Sequence, residues 1–169
     1  MIRPARPDDV PAIRGLVRDL AAYERAPDEV QVSDEQLHEA LFGAQPMIYA
    51  HLAEEEGPQG AQVVAGAVWF LNFSTWTGRT GIYITDLFVR PEGRRQGHGK
   101  ALLQELARIC VERGYGRLEW SVLDWNELGI AFYRSMGAVP LDEWTTYRLA
   151  GPALAAVAGM APSEVPGTG

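Results

Sequence analysis

The sequence predicts an α/β fold in which helices flank a sheet whose central strands are mostly antiparallel. Strand and helix patterns follow one another along the 169 residues, so both element types contribute to one core. The middle of the chain carries successive strand patterns with short turns between them, which is typical of an antiparallel meander. An apolar strand then runs directly into a turn rich in arginine and glycine that opens a helix. The length is enough for one globular domain.

The first part of the chain carries signals for a short strand and two helices. Residues 2–5 are predicted to form the strand, and two aspartates followed by Pro11 are typical of a helix start. That helix has an apolar face made of Val10, Ile13, Leu16, Val17, Leu20 and Ala21. A second helix is predicted to end near Gly43, because Ser33 with Gln36 forms a capping-box signal.

Three strands are predicted for the middle of the chain. They span residues 47–53, 63–72 and 82–89, and a turn at Gly78–Gly81 precedes the last of them. The acidic run Glu54–Glu56 is typical of a solvated loop.

The remaining elements are predicted from glycine stops and apolar periodicity. In chain order they are a helix at 97–113 ended by Gly114, a strand at 118–123, a helix at 127–136 ended by Gly137, and a strand at 139–149. The tail carries a weak helical pattern at 152–158, and its last ten residues are predicted to be disordered.

The turn after the strand at 82–89 predicts an anion-binding site. Gly97 and Gly99 lack a Cβ, so the backbone can bend tightly and approach a ligand. The helix start adds unpaired N–H groups and the positive end of its dipole. Three cationic side chains surround the turn: Arg94, Arg95 and Lys100. The alternative is a tight turn with solvated basic residues. A Walker loop and a dinucleotide fingerprint are disfavoured, since the Gly-Lys-Ser/Thr ending and the third glycine are missing.

The pattern Arg94-x-x-Gly97-x-Gly99, with the lead-in Val89-Arg90-Pro91, resembles the pyrophosphate-binding motif of the GNAT superfamily of N-acetyltransferases. Further segments resemble the diamine acetyltransferases, the spermidine/spermine branch: Tyr23-Glu24, Thr85–Val89, Trp125–Glu127 and Phe132–Ala138. The resemblance covers about residues 1–149. It implies a GNAT fold with a mixed, mostly antiparallel sheet, a catalytic domain at 1–150 and a tail at 151–169.

The resemblance also implies acetyl-CoA as co-substrate. Backbone N–H groups at a bulge spanning Leu87–Val89 are expected to hold the pantetheine and polarise the thioester carbonyl. The cofactor-binding residues implied in this way are Leu87, Phe88, Val89, Arg94, Arg95, Gln96, Gly97, His98, Gly99, Lys100 and Asn126. The side chain of His98 is expected to line the turn or face water.

Tyr133 matches the tyrosine that the diamine acetyltransferases place beside the sulfur of coenzyme A as the proposed general acid. A phenol with a pKa of about 10 can protonate a thiolate of similar basicity. A buried tyrosine that only packs is the alternative. Where many members of this branch carry glutamate, this chain has Thr85, so Asp86, Glu24 or a water chain must accept the proton of the amine. Asp86 is alternatively a structural residue at a bulge.

Substrate binding is implied for Tyr23, Glu24, Thr85 and Trp125. Carboxylates pair with ammonium groups and aromatic faces attract cations, whereas core or dimer packing is the alternative for the aromatic residues. The relatives also imply a homodimer.

Composition and residue spacing argue against several other partners. The net charge of −7 disfavours nucleic acid as a partner and is compatible with a cationic small molecule. No metal is expected, because His38, His51 and His98 form no recognised ligand pair. Cys110 is predicted to be a core residue. No apolar segment is long enough to cross a bilayer and no secretory signal opens the chain, so we expect a cytoplasmic protein without a membrane partner.

We therefore expect an enzyme that transfers acetyl from acetyl-CoA to a primary amine, either a polyamine or a lysine-like amino acid such as thialysine. Two alternative functions remain open. One is acetylation of an aminoglycoside, a metabolite amine or a protein amino group, and the other is a non-catalytic acyl-CoA-binding module.

Overall fold

The computed structural model describes residues 1–57 and 60–160 and confirms the α/β prediction. A five-stranded sheet has its strands side by side in chain order. The strands are β1 (Ile2–Pro4), β2 (Tyr49–Gly57), β3 (Gly60–Ser74), β4 (Arg79–Val89) and β5 (Leu118–Trp120). The first four pair antiparallel, and β4 pairs with β5 in parallel. The sheet is therefore mixed and mostly antiparallel.

In the part of the chain that the structure describes, five α-helices connect or follow these strands. They are α1 (Val10–Tyr23), α2 (Asp34–Phe42), α3 (His98–Arg113), α4 (Glu127–Ser135) and α5 (Gly151–Val157). Contacts group the chain into two compact units, the first spanning Met1–Phe132 and the second beginning at Tyr133. No helix in the described part of the chain is long and apolar enough to cross a membrane.

Helices α1 and α2 bury their apolar faces against the sheet. Ile13, Leu16 and Leu41 join Leu52 and Phe88 in one core cluster. Alternate strand residues point to opposite faces of the sheet. The strand residues between those of this cluster therefore point to the other face, where α3 packs. Leu102 and Leu106 of α3 are fully buried. The start of α2 confirms the predicted capping box: the Ser33 hydroxyl accepts from the Gln36 N–H at 3.2 Å, and the Gln36 side chain accepts from the Ser33 N–H at 2.9 Å.

Two predictions for the meander are wrong. The turn between β3 and β4 precedes Arg79, which pairs with Ser74, so the predicted turn residues from Arg79 onward belong to β4. The acidic run Glu54–Glu56 is part of β2 rather than a loop. Glu54 pairs with Arg3 at 2.5 Å and Glu55 pairs with His98, so two carboxylates of this run have partners that are distant in sequence.

The second unit differs from the sequence prediction at residues 139–149. These residues form neither a strand nor a helix. Pro140 has no N–H to donate to a neighbouring strand, and a turn closes where the Trp144 N–H donates to the Leu141 carbonyl at 3.2 Å. Helix α5 confirms the helical pattern predicted at 152–158. Disorder was predicted for the last ten residues. All of these except Met160 lie outside the described residues.

Candidate active site

A β-bulge in β4 organises the site. Asp86 lies opposite Val68 of β3 and Ile84 lies opposite Trp69, so Thr85 is the extra residue. The Thr85 hydroxyl donates to the Val68 carbonyl at 3.1 Å, which fixes the bulge. The sequence predicted this feature at Leu87–Val89, and that position is wrong, because those residues keep regular pairing with β3.

The other edge of β4 opens beyond the bulge. Pairing with β5 ends at Ile84 and Trp120, so β5 is shorter than predicted and β4 continues to Val89 past its end. Among the described residues, no strand pairs with this edge at Leu87–Val89. Backbone groups on this edge are therefore placed to bind an extended ligand, as β-strand addition does.

The turn that follows β4 has the backbone shape of an anion cradle. Arg95 has φ +64° and Gly97 has φ +86°, and α3 begins immediately afterwards at His98. A turn of this kind can direct successive backbone N–H groups toward one concavity. The Gln96 side chain donates to the Glu92 carbonyl at 3.1 Å and steadies the turn.

The side chains of the cradle divide into two groups. Arg95 and Lys100 are exposed and add positive charge. His98 instead pairs with Glu55 of β2, so its backbone N–H rather than its ring is left to serve a ligand. Gly99 packs closely enough that an added Cβ would lie 3.5 Å from Val89 and 3.6 Å from Phe132.

Arg94 turns away from the helix start and toward the aromatic residues of α1 and β4. Its guanidinium carbon lies 5.5 Å from the ring centre of Tyr23 and 5.8 Å from that of Phe88. Its Nε donates to the Val89 carbonyl at 3.2 Å. Arg94 therefore links the cradle to the substrate-binding residues predicted from the sequence.

Asp86 follows the bulge, and its charge reaches a second carboxylate, Glu24. Burial raises the pKa of Asp86, and a contact with Thr85 opposes that shift only in part. Burial also raises the pKa of Glu24 at the end of α1, and the negative charge of Asp86 raises it further. Desolvation and like charge both favour the protonated form, so this pair holds a proton more readily than exposed carboxylates do.

Tyr23, Trp125 and Asn126 form one contact network next to these carboxylates. The Tyr23 hydroxyl donates to Asn126 Oδ1 at 3.0 Å, and the rings of Tyr23 and Trp125 are 5.9 Å apart. Asn126 Oδ1 also accepts from the Gly129 N–H at 3.0 Å, which caps the start of α4. The structure thus brings Tyr23, Glu24, Asp86 and Trp125 into one region of the first unit, and their roles stay predictions.

Tyr133 lies in the second unit, in the last turn of α4, and is half-buried. Its carbonyl accepts from the N–H groups of Met136 and Ala138 at 3.0 and 3.1 Å. Gly137 has φ +85°, which ends the helix as predicted. The catalytic role assigned to Tyr133 stays a prediction.

Arg25 is a residue that sequence reasoning missed. Its guanidinium carbon lies 4.5 Å from the ring centre of Trp125, at the exposed side of the network. The only sequence signal was its place directly after Tyr23-Glu24, and charge alone does not distinguish it from other surface arginines.

The other reactive side chains have ordinary surroundings. Cys110 is buried as predicted, and burial raises the pKa of its thiol. His51 is buried and its Nδ1 accepts from the Trp69 indole at 3.1 Å, while desolvation lowers its pKa. Within residues 1–57 and 60–160, no cluster of three or more histidine, cysteine or acidic side chains is arranged to hold a metal ion.

The fold and site agree with a match to the Acetyltransferase (GNAT) family over residues 13–138. The chain therefore belongs to the GNAT acetyltransferase family. A GNAT fold and N-acetyltransferase activity follow, and the family uses acetyl-CoA as co-substrate.

Relatives place the chain near the diamine acetyltransferases, which confirms the predicted branch. A thialysine N-epsilon-acetyltransferase of Bos taurus is 37% identical over 94% of this chain and 97% of its own length. An L-ornithine N5-acetyltransferase of Arabidopsis thaliana is 32% identical over 92% of this chain and 86% of its own length. A Homo sapiens spermidine/spermine N(1)-acetyltransferase-like protein is 29% identical over 87% of this chain and 22% of its own length.

Solved structures show the same fold. An integron cassette protein of V. cholerae superposes with a TM-score of 0.74 at 24% identity, covering 94% of this chain and 96% of its own. An aminoglycoside acetyltransferase from a soil metagenome has a TM-score of 0.70 at 21% identity, covering 89% and 96%.

Proposed function

We propose that this enzyme transfers the acetyl group of acetyl-CoA directly to a primary amine of a small cationic substrate. The observation that carries the proposal is the position of two sites along β4, one suited to a cation and the other to an anion. Asp86 lies at its bulge, near enough to Glu24 of the α1 end to affect it electrostatically, and the anion cradle begins where the strand ends. An amine at the first site and a pyrophosphate at the second belong to the two substrates of one transfer.

The cradle fits the pyrophosphate of acetyl-CoA. An added Cβ at Gly97 would meet no atom within 4 Å, so the space above the turn is open to a ligand. Arg95, Lys100 and the N–H groups at the start of α3 supply the positive charge that an anion needs. Leu87–Val89 would bind the pantetheine through backbone groups on the open edge of β4.

The carboxylate pair suits the first proton transfer. An amine attacks a thioester only as the free base, so its ammonium must lose a proton to a nearby acceptor. The raised pKa values of Asp86 and Glu24 make them better proton acceptors than exposed carboxylates. Thr85 has no basic group and its hydroxyl is bonded to the backbone, so it is expected to hold the bulge rather than the proton.

The attack forms a C–N bond and then breaks the C–S bond of the thioester. The departing sulfur needs a proton, and the family resemblance assigns its delivery to Tyr133. The enzyme itself forms no covalent intermediate in this scheme, and the transfer takes place in a ternary complex.

The test is release of coenzyme A thiol with spermidine, spermine, short diamines, lysine and thialysine, using wild type and Tyr133→Phe. We expect Tyr133→Phe to lower kcat by about 100-fold or more, because it removes a general acid. Tyr147→Phe is the matched control, since Tyr147 belongs to the same unit and is 91% exposed. Unchanged turnover in Tyr133→Phe would remove the acid assignment. A wild type that releases thiol with none of these amines would contradict the proposed function.

The names of the relatives support the proposal that the substrate is a small amine with two basic centres. The bovine and plant relatives are named for acetylation of thialysine and ornithine, and the human one for spermidine and spermine. A polyamine and a diamino acid are accordingly the two substrate types for this chain. Aminoglycosides have weaker support, because that likeness concerns the fold alone.

A homodimer and a cytoplasmic location are also part of the proposal. Large apolar side chains stand exposed in the second unit, among them Val139, Trp144 and Tyr147. Exposed apolar clusters of this kind are typical of surfaces that associate. Sedimentation equilibrium would test the dimer, and a single monomeric species at micromolar concentration would contradict it.

A further inference from the structure

We infer that Arg25 binds the α-carboxylate of an amino-acid substrate and thereby selects diamino acids over polyamines. The inference rests on the proposed function and deepens it, since it concerns the substrate side of the same site. The first observation is the backbone conformation at the end of α1. Arg25 has φ +64°, a conformation that favours glycine and costs other residues about 1 kcal/mol.

The strained residue is held by specific contacts. Its N–H donates to the Ala22 carbonyl at 3.2 Å, and the next residue, Ala26, donates to Ala21 at 2.8 Å, so the helix end is closed tightly. The side chain then lies over Trp125 with a distance of 4.5 Å from the guanidinium carbon to the ring centre. Stacking on an aromatic face fixes the plane of the guanidinium and leaves its N–H edge open to a ligand.

Arg25 has no internal anion to neutralise. It takes part in none of the ion pairs formed between residues that the structure describes. The preceding residue, Glu24, is half-buried and close enough to Asp86 for that charge to raise its pKa, whereas Arg25 is exposed. Adjacent residues therefore put a negative group inside the site and a positive group at its rim.

This charge order discriminates between the two substrate types. A diamino acid has a reactive ammonium at one end and an α-carboxylate at the other, which matches the carboxylate pair inside and Arg25 outside. Guanidinium and carboxylate form a charge-assisted, bidentate pair. A polyamine has only ammonium groups, and Arg25 already covers the face of Trp125 on which a second ammonium would stack.

The test compares substrates that differ only in the carboxylate. Thialysine is paired with bis(2-aminoethyl) sulfide, and lysine with cadaverine, using wild type, Arg25→Gln and Arg25→Lys. We expect Arg25→Gln to raise KM for thialysine and lysine at least about tenfold and to leave kcat unchanged, because the lost pair does not touch the reacting atoms. KM for the two decarboxylated amines should stay the same or fall, and Arg25→Lys should restore part of the preference.

Arg18→Gln is the control, because Arg18 is exposed on α1 and its substitution removes the same charge close by in the sequence. If the KM of Arg25→Gln rises equally for both substrates of each pair, or for neither, the inference is overturned while the proposed function stands. A wild type that prefers the decarboxylated amines would overturn it in the same way. A wild type that acetylates no member of either pair would contradict the proposed function and the role of Arg25 together.

Discussion

At the scale of single residues, the buried carboxylate Asp86 should couple stability to pH. Its pKa is raised in the folded protein because burial disfavours its charge. The folded state therefore binds the proton more tightly than the unfolded state does. The stabilisation is complete below the unfolded pKa and is lost as the pH rises through the folded pKa.

Asp86→Asn should consequently gain stability relative to wild type as the pH rises. Asparagine stays neutral at every pH. The free energy of unfolding of Asp86→Asn therefore rises relative to that of wild type by up to about 1.4 kcal/mol per pH unit between the unfolded and folded pKa values of Asp86. Urea unfolding from pH 4 to pH 8 measures it. Asp9→Asn is the control: a hydrogen bond from Arg3 lowers the pKa of Asp9, so its pH-dependent contribution changes only below the unfolded pKa of about 3.9, and its curve should run parallel to that of wild type from pH 4 to pH 8. Parallel pH curves for Asp86→Asn and wild type would contradict the burial of an ionising Asp86.

Motif resemblance, rather than residue type, selected the side chains expected at the site, and it did not indicate how each is used. Tyr23, Glu24, Asp86 and Trp125 were found through motif resemblance, and the structure brings them together. The ring of His98 is paired with Glu55, a partner 43 positions away, and no local pattern encodes that contact. Arg25 was missed for the same reason, since its significance depends on a tryptophan 100 positions later.

At the scale of elements, the start of α3 should depend on Gly97 for binding acetyl-CoA. Gly97→Ala forces a Cβ onto a residue at φ +86°, which should lower the free energy of unfolding by about 1 kcal/mol. Gly114 at the other end of the same helix has φ +67° and equally open space, so Gly114→Ala is a matched control. We expect similar destabilisation in both variants by urea unfolding.

Only Gly97→Ala should raise KM for acetyl-CoA, by several-fold, because it reorients the N–H groups that face the pyrophosphate. Steady-state kinetics at a fixed amine concentration provide the measurement. Equal KM values for the two variants would mean that the cradle does not bind the cofactor.

Elements with strong local signals were predicted with their ends nearly correct. The helices at 97–113 and 127–136 are such cases, because αL glycines mark the end of each. Strand boundaries were less accurate, since they depend on the neighbouring strand. β5 ends at Trp120, opposite Ile84 and next to the bulge at Thr85, and residues 139–149 have strand-forming side chains without strand pairing in the described structure.

At the scale of the whole molecule, the net charge of −7 should favour the approach of cationic substrates. A field of one sign raises the local concentration of an oppositely charged ligand, and salt screens it. Diamines carry two positive charges and diamino acids carry one net positive charge. The attraction, and its sensitivity to salt, should therefore be greater for the diamine, whichever substrate binds better at the site.

We expect kcat/KM for cadaverine to fall several-fold when ionic strength rises from about 10 mM to about 150 mM, because the Debye length shrinks from about 30 Å to about 8 Å. The fall for lysine should be smaller, and kcat at saturating amine should stay constant for both. Saturating acetyl-CoA throughout removes the effect of salt on the binding of that anion. Equal salt dependence for the two amines would mean that local contacts, and not the overall charge, control substrate capture.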